Sequence, residues 1–553
     1  MKPQKLFYIL LAIWVLADLL QAIFTPVHAD EAYYALYGEF LDWGYYDHPP
    51  MVALMTAFSS LFFKGTLSIR FMTVLLHGAT VLLLGTSMEE KLTSNRAVIT
   101  FFAIAASIPI FIIYGFITTP DAPLLFFTAL FFYLYKRYLS SPSWPTALAL
   151  GITFTAMLYS KYMAVLVVGF VLLSNFKLLK DNKIWGSIAL ATLLFLPHIL
   201  WQVRNGFPSL QYHLIDRSEG FRIGNLLEYP LNQFLVFNPI CLCIAGFLCW
   251  KKRKTEDLFE RAILFTIAGF ILFFWLMAVK GHAEPHWTAA ASVPMTILLW
   301  QELRNEQWNK WLTRGIVPIV GALLVLRVLT PIFLNKLPIN IFRNQHKYDI
   351  IHEYCGNTPV IFVGSFQDPS LYHYYTGDNT MQISSLYGRR TQFDLWQFDK
   401  GIQGKPACVI DANVYKRKRH EGFDLIEKDK VSFFLHKTES FQGTNRIQIN
   451  IENYRIKNDS LYLNLTLFNP YETDFVFDNP EFPITLHVAY LPKHGSIYPI
   501  TCPLPSGIII PTGESIHLAT VVKYIPDNPI VICLDNVVNR SVNSKPIKLK
   551  AND

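Results

Sequence analysis

Residues 6–34 read LFYILLAIWVLADLLQAIFTPVHADEAYY: an apolar run from Leu6 to Phe24, interrupted once at Asp18, then two adjacent acids and two tyrosines. About 20 apolar residues cross the hydrocarbon of a bilayer as a helix, so the run is long enough to span. A cleaved leader would also begin with Lys2 and Lys5 and could end at Val27-His28-Ala29. Its apolar region would be shorter and free of acids, so the run reads as a retained first crossing.

The rest of the chain supports a membrane reading over residues 1–334. Of 553 residues 52% are hydrophobic, 15% aromatic and only 16% charged, where soluble domains carry about 25% charge. Further apolar segments lie at 68–88, 97–117, 123–139, 184–203, 230–250, 262–280, 286–302 and 315–334. The stretch 146–176 is too long for one span and reads as a hairpin turning at Ser160-Lys161-Tyr162, which makes about eleven crossings. With the N-terminus in the cytoplasm, seventeen Lys and Arg fall in inside loops against seven outside. That bias sets the orientation. The chain is therefore expected in the inner or plasma membrane, with residues beyond 334 outside. The net charge of +7 belongs to these orienting clusters; nucleic acid binding needs a basic stripe on a soluble face.

The tail divides in two. Residues 335–439 mix strand-like runs (Val360–Val363, Ala407–Ile410) with helix-compatible Pro369–Tyr375, a small α/β domain. Residues 440–553 alternate with period two (Arg446–Ile451, Leu461–Leu467, Ile484–Tyr490), an antiparallel β-sandwich. Seven cysteines show no metal spacing. In an extracytoplasmic tail Cys355, Cys408, Cys502 and Cys533 allow one or two disulfides without specifying a pairing.

Nearly every chemically suggestive residue of the bundle falls in an outside loop. The first reads His28-Ala29-Asp30-Glu31-Ala32-Tyr33-Tyr34 and continues to Tyr46-Asp47-His48-Pro49-Pro50. Asp30 and Glu31 suit helix capping, but capping does not account for a second acid–histidine pair braced by prolines. Asp121, in Thr119-Pro120-Asp121-Ala122-Pro123, is a helix cap or a site acid. Lys161 in its apolar hairpin either snorkels to the headgroups or meets a lipid phosphate. His213 and Arg217 are four apart and would share one helix face. Lys280-Gly281-His282-Ala283-Glu284-Pro285-His286-Trp287 packs four titratable groups and an indole into one turn. Sugar transfer from a lipid phosphate to a hydroxyl needs a carboxylate to take the proton, cations or a divalent metal at the departing phosphate, and aromatic faces for the ring. These loops contain all three.

The ordered set Asp30-Glu31, Tyr46-Asp47-His48-Pro49-Pro50, Thr119-Pro120-Asp121-Ala122-Pro123-Leu124, Ser160-Lys161-Tyr162 and Glu284-Pro285-His286-Trp287 resembles the C-type glycosyltransferases, the group of protein O-mannosyltransferases and lipid A aminoarabinose transferases. The resemblance implies inverting transfer from a polyprenyl-phosphate sugar to lipid A, a glycan or a protein. It implies Asp30 as the base, with Glu31 and Asp121 as further acids. Asp47 and His213 would contact a metal. His48, Tyr46, Lys161, Arg217, Lys280, Glu284 and Trp287 would hold substrate. The family has Lys where this chain has His48, so a phosphate contact there becomes pH-sensitive. A lipid-linked-sugar transporter would instead place polar groups at the midplane in paired broken helices. A non-catalytic scaffold presenting the β-rich tail would need no acidic cluster.

Overall fold

The computed structural model describes residues 1–88, 92–213, 222–303, 310, 312–334, 345–412, 422–492, 496–536 and 538–549. The chain forms two compact units, Met1–Arg343 and Asn344–Asp553.

The first unit is a helical bundle. Its helices are α1 (Pro3–Phe24), α2 (Ala29–Glu39), α3 (Met51–Ser60), α4 (Leu67–Ser87), α5 (Asn95–Ser107), α6 (Pro109–Ile113), α7 (Asp121–Ser140), α8 (Trp144–Ser160), α9 (Ala164–Ser174), α10 (Asn182–Arg204), α11 (Pro208–Gln211), α12 (Ile223–Phe237), α13 (Pro239–Lys251), α14 (Leu258–Met277) and α15 (Ser292–Leu303), followed by a closing helix, Val317–Leu334. Among the described residues five helices are long and apolar enough to cross a bilayer: α1, α4, α10, α14 and Arg314–Leu334. An extended core of interlocked aromatic and aliphatic side chains, Phe101, Phe111, Tyr135, Leu298 and Trp300 among them, joins most of the helices, and a smaller cluster of Ala22, Val74 and Phe116 ties α1 to α4. The expected hairpin is present, with α8 ending at Ser160 and α9 beginning at Ala164.

Three expected crossings are not single α-helices: 286–302 is a 3-10 helix, Pro285–Ala291, that runs into the twelve-residue α15, and two others break at prolines. The segment 230–250 is not one helix: α12 and α13 meet at 105°. Pro239 has no N–H to continue the ladder and disfavours helical backbone at the residue before it. Asn238 takes φ 58° and ψ 151°. Its side chain accepts from Cys241 N at 2.8 Å, capping α13, and donates to Ser107 O at 2.6 Å. Ser107 lies at the second break, where Pro109 starts α6. The Asn238 break thus supplies a donor to a carbonyl at the Ser107 break.

The second unit opens with the helix Gln345–Cys355. A five-stranded sheet follows in the order β2-β1-β3-β5-β4, built from β1 (Val360–Val363), β2 (Thr380–Ile383), β3 (Ala407–Asp411), β4 (Asp424–Lys428) and β5 (Val431–Thr438). The β1 strand runs parallel to β2 and β3, while β5 is antiparallel to β3 and β4. The helix expected at Pro369–Tyr375 spans Gln367–Thr376.

The β-rich region holds β6 (Gln448–Lys457), β7 (Ser460–Phe468), β8 (Phe475–Val476), β9 (Thr485–Tyr490), β10 (Tyr498–Thr501), β11 (Ile509–Ile510), β12 (Ser515–Lys523), β13 (Pro529–Asp535), β14 (Arg540–Val542) and β15 (Ile547–Lys548). Two of its antiparallel sheets, β12-β7-β6 and β10-β9-β13-β14, enclose a common core. Leu461, Leu463, Leu465 and Leu467 alternate inward, as the period-two pattern requires. The two expected tail domains are sewn into one unit: Arg446 Nε donates to Asp399 at 2.7 Å, Tyr471 donates to the same carboxylate at 3.0 Å, and Asn539 donates to Ser384 O at 2.7 Å.

Candidate active site

The site is built on a knot of backbone and charge where α1 ends. His28 caps α2, accepting from Asp30 N at 3.1 Å, while Glu31 accepts from His28 N at 2.9 Å. Glu31 Oε1 also takes Arg70 Nε at 2.7 Å and Thr118 N at 2.8 Å, and Oε2 pairs with Arg70 Nη2. The rest of the guanidinium donates to the carbonyls of Ala22, Thr25 and Pro26 at 2.6–3.0 Å. Both charged side chains are fully buried. The knot binds the end of α1, the start of α2, α4 and the turn before α7. It thereby fixes Asp30 and Asp121, each beside one of its members.

Asp30 and Glu31 therefore differ. Glu31 points into the protein with every oxygen engaged. Asp30 has a side chain 36% exposed at the first turn of α2, where the helix dipole favours a carboxylate. Asp121 starts α7 but does not cap it. Both its oxygens accept from Lys161 Nζ, at 2.8 and 2.7 Å, with both side chains nearly buried. Lys161 does not snorkel, and the two groups expected separately form one ion pair at the α8–α9 turn.

Tyr34 and Tyr114 show which acids converge. Burial, and then the charges of Asp30, Asp47 and Asp121, hold the Tyr34 phenol well above its usual pKa, so it stays protonated and can donate. Its hydroxyl lies 3.2 Å from His48 Nε2. The Tyr114 hydroxyl lies against Asp121, with Asp30 and Glu284 also in its electrostatic surroundings. Four acids from three separate outside loops, two of them from the first, thus meet at one end of the bundle.

The loop carrying Asp47 and His48 is clamped from two sides. The Tyr45 ring stacks on Tyr37 at 3.9 Å, and its hydroxyl donates to Tyr37 O and Phe40 O. The end of α10 holds the other side: Trp201 Nε1 donates to Asp42 at 2.7 Å, and His198 Nδ1 bonds Trp43 O at 2.7 Å. Gly44 fits under Trp201 and His198 so closely that a Cβ would collide with both rings. Tyr46 is buried and packs against Tyr212, 5.7 Å between centroids.

His213 Nε2 approaches the main-chain oxygen of Asp47 at 3.2 Å. The two expected metal contacts are neighbours, but among the described residues no group of three or more His, Cys, Asp or Glu assembles to hold an ion. Glu284 precedes a short 3-10 helix, Pro285–Ala291, that packs against α6 and α7. Trp287 on that helix meets Phe274 at 5.5 Å. Lys280 is exposed at the turn after α14. Arg217 lies outside the described residues.

Sequence reasoning missed the part played by Arg70, counted only as an outside cation, and by Tyr34, Tyr114 and His198. Arg70, a few residues into an apolar run, carried a usable signal, since a cation there needs a partner.

Residues 47–201 match the model of the dolichyl-phosphate-mannose-protein mannosyltransferase family. That stretch contains Asp47, His48, Asp121 and Lys161. The chain is 26% identical over 331 residues to the lipid A galacturonosyltransferase RgtD of Rhizobium johnstonii, covering 57% of this chain and 68% of that protein. Its fold is similar to that of ArnT from Cupriavidus metallidurans in the apo state, with a TM-score of 0.59 at 13% identity over 77% of this chain and 97% of ArnT. The structure of ArnT bound to undecaprenyl phosphate gives a TM-score of 0.58 at 14% identity, with the same coverage. The bundle unit is less than two thirds of the chain, so the fold likeness reaches into the second unit. With its helical bundle and its matched stretch through Asp47, Asp121 and Lys161, the chain is similar to the C-type membrane glycosyltransferases.

Proposed function

We propose that this protein moves a sugar from a polyprenyl-phosphate donor to a hydroxyl or phosphate of a lipid A-type acceptor, with inversion, at the outer face of the cell membrane. The observation that carries the reading is the gathering of Asp30, Asp47, Asp121 and Glu284 around Tyr34 and Tyr114, next to the buried Lys161. Asp30, the most exposed acid of the capping knot, takes the acceptor proton as the acceptor oxygen attacks the anomeric carbon. The bond to the polyprenyl phosphate breaks from the opposite side. Lys161 spends two hydrogen bonds on Asp121, which leaves its third proton for the departing phosphate. Tyr34 and His48 orient the sugar or its phosphate. No step here depends on a divalent ion; Asp47 and His213 are the residues that would meet one.

The acceptor class rests on the lipid A galacturonosyltransferase relative, and the donor class on ArnT with undecaprenyl phosphate. Apolar length supports eleven crossings, and that odd number together with the charge bias of the loops supports a second unit on the outside. The one observation favouring transport is the pair of facing helix breaks at Ser107 and Asn238. Both residues are buried and bonded to each other, which suits a fixed joint better than a substrate path.

The test is mass spectrometry of lipid A from a deletion strain complemented with wild type or Asp30→Asn. Wild type is expected to restore a glycosylated species, and the variant, accumulating normally, to restore none. Full restoration by Asp30→Asn would remove it as the base. An unchanged lipid A profile on deletion would overturn the acceptor class.

A further inference from the structure

We propose that Cys355 and Cys408 are joined by a disulfide in the mature protein, tying the helix Gln345–Cys355 to the central strand β3. The inference rests on the outer placement of the second unit proposed above.

Chain geometry brings the two residues together. Cys355 is the last residue of its helix, on the buried face it shares with Tyr348 and Ile351. The chain turns at once, with Thr358 N donating to Cys355 O at 3.2 Å, and enters β1. β1 pairs parallel with β3 so that Val360 lies opposite Cys408, and Cys408 N donates to Pro359 O at 3.0 Å. Both cysteines therefore occupy the same end of the β1–β3 pair. Both are buried, at 6% and 2% exposure.

The two sulfhydryls are within reach of one another. The neighbouring Cys355 draws the Cys408 thiol below its usual pKa, with Lys437 adding to the effect against the opposing influence of burial. A thiolate is the species that enters disulfide exchange. The other tail cysteines have no such neighbour. Cys502 faces the sandwich core, while Cys533 faces the opposite side of the same sheet.

The reaction balances with an oxidant of the extracytoplasmic space, a protein bearing a reactive disulfide. As the tail folds, one cysteine thiolate attacks that disulfide and forms a mixed disulfide. The second cysteine then displaces the oxidant. Two protons and two electrons leave the pair, one S–S bond forms here, and one opens to two thiols in the oxidant. Folding then seals the bond under the helix, away from reductants.

The experiment uses the full chain in native membranes. Thiols are trapped with N-ethylmaleimide under denaturing conditions without reductant, and the digest is read by mass spectrometry. In parallel, trypsin is applied to spheroplasts to show on which side the tail lies. The expected result is a linked Cys355–Cys408 peptide pair, alkylated Cys502 and Cys533, and a tail cleaved from outside. In Cys355→Ser, Cys408 should change from unlabelled to fully labelled. Free thiols at both positions with an outside tail would overturn the disulfide and leave the topology standing. Free thiols with a protected tail would overturn both. A linked pair with a protected tail would overturn the proposed oxidant and compartment.

Discussion

Glu31–Arg70 and Asp121–Lys161 are both buried carboxylate–cation pairs near the same end of the bundle, yet they are built differently. Glu31 accepts from a guanidinium and from two backbone amides of different segments, and Arg70 also satisfies three carbonyls. Asp121 and Lys161 are joined by two bonds between single side chains. The first pair holds backbone together and has no capacity left for a ligand. The second keeps an ammonium proton in hand at a turn surrounded by acids and tyrosines. The number of main-chain partners thus separates a framework pair from one suited to chemistry.

The largest effect should come from breaking the framework pair. Arg70→Met leaves Glu31 charged, buried and without its cation, a loss of about 3–5 kcal/mol, and strips the donor from three carbonyls. Thermal unfolding in detergent should show the variant scarcely accumulating or melting far below wild type. Adding Glu31→Gln should not rescue it, because the carbonyls of Ala22, Thr25 and Pro26 would still lack their donor. A double variant as stable as wild type would reduce the knot to an ordinary ion pair.

The same double substitution should behave differently at the other pair. Asp121→Asn or Lys161→Met alone leaves one buried charge, and both together leave none. Asp121→Asn/Lys161→Met is therefore expected to regain most of the stability lost by either single change. Sugar transfer should stay at least ~100-fold down, the scale on which losing one transition-state donor is felt. Recovered transfer in the double variant would make this pair framework too.

The contrast marks how far the sequence could be read. Apolar length disclosed the bundle, because it is summed over many residues and survives local error. Period-two alternation disclosed the β-sandwich, with Leu461 to Leu467 facing inward as expected. The breaks at Ser107 and Asn238 were hidden although Pro109 and Pro239 stand in plain view: a proline inside a long apolar run can kink a helix or end it, and only the partner across the gap decides. For the site, spacing put Asp30, Asp47, Asp121 and Glu284 in loops on one side. It could not tell Glu31 from Asp30, since neighbours on a helix point roughly 100° apart and the choice depended on Arg70, 39 residues away. Nor could it see that Asp121 and Lys161, each with its own bland explanation, explain one another.

A third buried acid gives the smallest and most discriminating test. Asp18, the lone interruption of the first apolar run, is tolerated because His77 Nδ1 lies 2.7 Å from one oxygen and Arg327 Nη2 lies 2.5 Å from the other. The group binds α1, α4 and the closing helix by side chains alone, as at Asp121, but its partners His77 and Arg327 are not among the site residues. Arg327→Leu leaves His77 in place, with its Nδ1 still against the carboxylate. The loss should be about 1.5–3 kcal/mol, the range for one charged hydrogen bond, smaller than for Arg70→Met. Transfer per folded molecule should stay within a few-fold of wild type. If Arg327→Leu instead abolished transfer while leaving the melting point unchanged, distance from the site acids would fail as a guide. A side-chain-only pair would then mark function at any depth in the bundle, and the Asp18 cluster would belong with Asp121 and Lys161.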